Sequence, residues 1–97
     1  MNKFYVEELT NISKFIDESP NSEEGVEYEL EFMMPAHLVI STIESLGYKQ
    51  EDWETNGWDH DFWIYYIHKK EGTRLCFSGS WYLGSYKIFK RKMNDGE

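Results

Sequence analysis

The chain has 97 residues, 40% of them apolar, and a net charge of −8 from ten basic and eighteen acidic side chains. That composition suffices for one core, read as a domain over 1–93 with a polar tail at 94–97, and excludes wholesale disorder. The acidity argues against a general binder of nucleic acid or anionic membrane, whose affinity comes mainly from Lys and Arg.

In chain order, the first predicted element is a helix from Tyr5 to Ile16. Its apolar residues Tyr5, Leu9, Ile12 and Ile16 recur at spacings of four, three and four, and Ser19-Pro20 stops it. Residues 19–25 read as a polar loop. Val26, Tyr28, Leu30 and Phe32 then alternate with Glu27, Glu29 and Glu31, the pattern of a strand with one apolar and one acidic face. Pro35 suits the first turn of a second helix that runs to about Leu46, with Gly47 as its left-handed cap.

Asn56-Gly57 is the strongest hairpin signal, between a weak strand over 48–55 and a strong one over 62–68. Further strands are expected over 73–79 and roughly 82–90. Gly79 and Gly84 interrupt them, as at a bulge, a bend or a close approach. The order α-β-α-β-β-β implies an α+β fold, with two helices on one face of a mainly antiparallel sheet of four or five strands.

No catalytic set emerges. Asp59-His60-Asp61 with His68 looks like a metal cluster only in one dimension, since neighbouring strand residues point to opposite faces. Cys76 stands between Leu75 and Phe77, an apolar setting that suits a buried thiol better than a nucleophile. As the chain's one cysteine it excludes an internal disulfide and suits a reducing, cytoplasmic compartment. No apolar run approaches the ~20 residues of a membrane span, and the first ten residues lack a signal-peptide pattern. No cofactor, metal or catalytic residue is assigned, and a non-enzyme is expected.

Two features exceed background. The strand FWIYYIH over 62–68 is apolar on both faces, so Trp63, Tyr65 and Ile67 need a cover if Phe62, Ile64 and Tyr66 face the core. The second feature is charge. Residues 1–61 hold fifteen acids and three Lys, a net of −12, whereas residues 62–97 hold three acids and seven bases, a net of +4. Concentrated like charge costs folding stability unless a partner makes use of it.

In size, acidity and aromatic content the chain resembles phage anti-CRISPR and anti-restriction proteins and bacterial immunity proteins. That resemblance implies a small inhibitor that meets the basic, nucleic-acid-binding surface of a target enzyme. It carries no shared motif and assigns no residue. The residues themselves nominate Glu27, Glu29, Glu31, Glu51, Asp52, Trp53, Glu54, Trp58, Asp59 and Asp61 as the partner-binding set. The acids would pair with Lys and Arg of a protein partner, and the tryptophans would supply desolvated contacts. The other expectation is a non-catalytic homodimer or assembly subunit built on the aromatic strand face, its acids serving solubility.

Overall fold

The computed structural model describes residues 2–31, 33–56, 60–80 and 85–94. Helix α1 spans Lys3–Glu18, opened by the Asn2 side chain, which accepts from the Phe4 N–H at 2.7 Å. It ends at Ser19, whose extended backbone (φ −69°, ψ 153°) is what a following proline imposes. Strand β1 covers Val26–Glu29, helix α2 covers Ala36–Ser45, and β2 covers Lys49–Asn56. Strands β3 (Asp61–His68), β4 (Thr73–Ser80) and β5 (Tyr86–Lys92) complete the regular structure of the described residues.

All five strands form one antiparallel sheet in the order β1-β5-β4-β3-β2. The last four are a meander. Strand β1 instead pairs with the distant β5, so α2 carries the chain from one sheet edge to the other. The α+β expectation holds, with the sheet at its upper strand number.

Three local expectations need correction. Strand β1 stops at Glu29, because past Leu30 the backbone turns toward α1 and the Glu31 N–H donates to the Glu8 carboxylate at 3.2 Å. Phe32 lies outside the described residues. Pro35 is the N-cap and not a first-turn residue, since its ψ of 129° is extended and helical geometry begins at Ala36. The hairpin expected around Asn56-Gly57 is the β2–β3 connection, with Gly57 itself outside the described residues. Asn56 is a ladder residue opposite Asp61, and His60, just before β3, takes a positive φ (56°). Burial of Phe62 and Tyr66 sets that register. Strand β5 begins at Tyr86, later than the 82–90 reading, and runs to Lys92.

Two glycines act as their sequence positions suggest. Gly47 takes φ +96° just after α2, and its N–H caps the Glu44 carbonyl at 3.0 Å. Gly79 sits in β4 where a Cβ would collide with the Ser85 carbonyl and the Tyr86 ring. Gly84 lies outside the described residues.

The core is built on one face of the sheet. Phe62 and Tyr66 of β3, Leu75 and Phe77 of β4, and Tyr86 and Ile88 of β5 are buried together with Ile12, Ile16, Val39 and Ile43 of the helices. Leu9, Leu30 and Leu46 pack against this cluster and are only partly buried. Two buried charged residues tie α1 to the sheet. Glu8 accepts from the Tyr28 hydroxyl, and Lys90 Nζ donates to the carbonyls of Ile16 and Ser19.

Candidate functional site

The alternate residues of the same strands form the other, outer face. Burial in β3 and β4 alternates along the chain: Phe62, Tyr66, Leu75 and Phe77 are buried, while Trp63, Tyr65, Cys76 and Ser78 are only partly covered. No described element seals this second face.

The registers line up its side chains in rows across all the strands. One row reads Glu27, Phe89, Cys76, Tyr65, Asp52, from β1 to β2. The next reads Glu29, Lys87, Ser78, Trp63, Glu54. On the other side come Arg91, Arg74, Ile67 and Lys49.

Read strand by strand, the face therefore changes character stepwise. The β1 edge is acidic, β5 offers Lys87 and Arg91 around Phe89, β4 carries the small Cys76 and Ser78 after Arg74, β3 is aromatic, and β2 is acidic beyond Lys49. Small residues on β4 between bulky ones on β3 and β5 leave a hollow. Its volume is about 430 Å³, with Cys76 and Ser78 on the floor and Phe89, Tyr65 and Trp63 at the sides. The walls stand two strand spacings apart, about 9.6 Å.

A bulge in β2 between Gln50 and Asp52 adds an acid to this face. Glu51 reaches over β3 and pairs with Arg74 Nη1 at 3.2 Å. The Arg74 guanidinium also lies 5.0 Å from the Tyr65 ring centroid, a cation–π arrangement. Burial pushes the Cys76 thiol up to about 11, so at neutral pH it is a protonated filler and not a nucleophile.

The nominated residues divide among several places. Glu27 and Glu29 lie on the outer face at one edge, while Asp52, Glu54 and the bulged Glu51 lie on it at the other, roughly 19 Å away across four strand spacings. Glu31 is exposed but past the end of β1. Asp61 opens β3 on the outer side, opposite Ser80 and Asn56. Trp53 pairs with Ile64 and so belongs to the core side, yet at the sheet edge it is 59% exposed. Trp58 and Asp59 lie outside the described residues.

Sequence reasoning identified the open aromatic face of β3 but not the cations of β5. Lys87 and Arg91 alternate with core residues Tyr86, Ile88 and Lys90, a signal present in the sequence as period-two patterning.

A second concavity, of about 410 Å³, lies on the core side between α1 and the β3–β4 turn, with Asp17, Tyr48, His68, Glu71 and Lys90 around it. It gathers titratable groups, but their contacts are internal. His68 Nδ1 accepts from the Glu71 N–H at 3.3 Å and its ring meets Tyr48 edge-on at 5.1 Å. Lys90 is turned to the carbonyls that end α1, where a cation complements the helix dipole. Burial lowers the Lys90 pKa, opposed by the nearby charges of Asp17 and Glu71. Among the described residues no group of three His, Cys, Asp or Glu converges as metal ligands. No described helix is long and apolar enough to cross a membrane.

No family model matches the chain, and no curated protein or solved structure shows significant similarity to it.

Proposed function

We propose that the chain is a non-catalytic protein-binding domain that meets a basic protein surface with strands β2 and β3 of its outer face. The observation that carries this reading is the open aromatic ridge of Trp63 and Tyr65 lying directly beside Asp52 and Glu54. Aromatic side chains supply the desolvated contacts of an interface, and neighbouring carboxylates select cations and speed encounter.

The partner surface is then one rich in Lys and Arg. In its sharpest form it is the nucleic-acid-binding surface of an enzyme, which the domain inhibits by covering it in the cytoplasm. The inhibition acts through local pairing and not through imitation of a polyanion. Lys87, Arg74 and Arg91 lie between the two acidic edges, so the face alternates in sign where duplex DNA is uniformly negative.

Affinity capture tests the reading. The parent chain should retain basic proteins that elute as salt rises, and the pair Glu54→Lys with Trp63→Ser should lose them while keeping the parent's circular dichroism. Equal capture by parent and variant at every salt concentration would refute it.

A further inference from the structure

The outer face is complementary to itself. From β5 to β2 its strands run basic, small, aromatic, acidic: Lys87 and Arg91, then Cys76 and Ser78, then Tyr65 and Trp63, then Asp52 and Glu54, while Arg74, Ile67 and Lys49 in the Arg91 row depart from that order. A two-fold axis lying in the plane of this face, parallel to the strands and between β4 and β3, exchanges these characters pairwise. It lays β3 of one copy over β4 of the next, and β2 over β5, while preserving position along the strand.

We infer that the basic surface met by β2 and β3 is β5 of a second copy, so that the chain forms a face-to-face homodimer. Residues in one row then oppose each other. The Tyr65 and Trp63 ridge enters the partner's hollow over Cys76 and Ser78, which fills on both sides at once. Glu54 meets Lys87 of the partner subunit, and Asp52 comes over the partner subunit's Phe89 with the partner's Arg91 one row away. Lys49 approaches the partner's Arg91, a like-charge meeting that Glu51 and Asp52 flank. The β1 edge, with Glu27 and Glu29, falls outside the overlap.

Such an interface is isologous, the arrangement that closes after two copies and leaves no sticky face. Four overlapping strands span about 19 Å by about 25 Å, roughly 480 Å² of flat area. Standard interfaces bury ~800 Å² per partner, so this dimer is a weak one with salt-sensitive affinity.

This inference rests on the reading that β2 and β3 bind a basic surface, and its test separates the two. Sedimentation equilibrium of the full chain should show a monomer–dimer equilibrium that weakens as salt rises. Glu54→Lys and Lys87→Glu should each weaken dimerisation about tenfold or more, and the double exchange should restore it to within about threefold. A variant carrying Glu54→Cys, Lys87→Cys and Cys76→Ser should form a disulfide-linked dimer on oxidation. Within one chain these positions are three strand spacings apart, about 14 Å, too far to bridge.

A chain that stays monomeric to about 1 mM overturns the dimer. So does a dimer indifferent to the charge exchanges and unlinked by the cysteine pair. If Glu54→Lys then still abolishes capture of a basic partner, the binding reading survives and only its second-copy form is lost. If that variant alters neither association nor capture, both fall.

Discussion

Glu51 and Arg74 are joined at 3.2 Å although a whole strand lies between them. The bulge in β2 adds Asp52 to the outer face that Glu51 already shares with Lys49, and Glu51 reaches Arg74 from there. The pair closes over Ile67 and holds the guanidinium near the Tyr65 ring. The aromatic ridge of β3 is thereby braced at one end, which on the proposed reading lowers the ordering cost of binding.

The link between Glu8 and Tyr28 should be one of the larger polar contributions to stability. Glu8 is 1% exposed and accepts from both the Tyr28 hydroxyl and the Glu31 N–H. Glu8→Ala should cost about 2–3 kcal/mol in urea unfolding, because a charged acceptor leaves two donors behind. Tyr28→Phe should cost less, and the double variant should fall short of the sum by at least ~0.5 kcal/mol. Strict additivity would show that the contact does not operate in solution.

Lys90→Met should destabilise the fold by about 1–3 kcal/mol, since the carbonyls of Ile16 and Ser19 lose their donor at the end of α1. Amide exchange should rise in the last turn of α1 more than in the sheet. The variant should also change the alkaline profile. Burial lowers the Lys90 pKa, so its contribution is full above the ordinary value of 10.5 and is lost as pH falls through the lowered folded value. The stability gap between parent and variant should therefore widen as pH rises through that window. A gap independent of pH would contradict the assignment.

Tyr66 and Cys76 have the opposite sign. Burial raises Tyr66 to about 12 from 10.0 and Cys76 to about 11 from 9.0. Each favours the protonated form in the fold, so the stability it contributes is complete below the unfolded pKa and is lost as pH climbs through the folded one. Relative to Cys76→Ser, the parent should lose stability between pH 9 and 11. Tyr66→Phe should be neutral or stabilising at pH 7, by up to ~1–3 kcal/mol, because it removes a fully buried hydroxyl that has no hydrogen-bond partner among the described residues. A large loss of stability in that variant would mean the hydroxyl is satisfied in solution.

The helices and the two faces of β3 were legible because burial repeats at fixed periods. Ile12, Ile16, Val39 and Ile43 are buried where the spacing places them, and Phe62 and Tyr66 take the core side. Glu8 is four residues before Ile12 and eight before Ile16, hence on the buried stripe, but a carboxylate there reads as surface until Tyr28 is known to meet it. The early end of β1 depends on the same carboxylate. The character of the outer face was not legible. It requires knowing that β1 pairs with β5 and that Lys87 and Arg91 stand beside the small residues of β4, facts of strand order that no local pattern contains. Hence the nominated acids of β1 and β2 share one face but stand at its two edges, with cations between them.

The measurement closest to the central claim compares two places on one molecule. Capture at low salt should be quantified for the parent, for an outer-face variant with Trp63→Ser and Glu54→Lys, and for a core-side variant with Asp17→Asn and Glu71→Gln. The account predicts that the outer-face variant loses the bound basic partner and that the core-side variant keeps it. Loss of binding in the core-side variant, with full binding by the outer-face variant, would contradict it and move the functional site to the concavity beside Lys90.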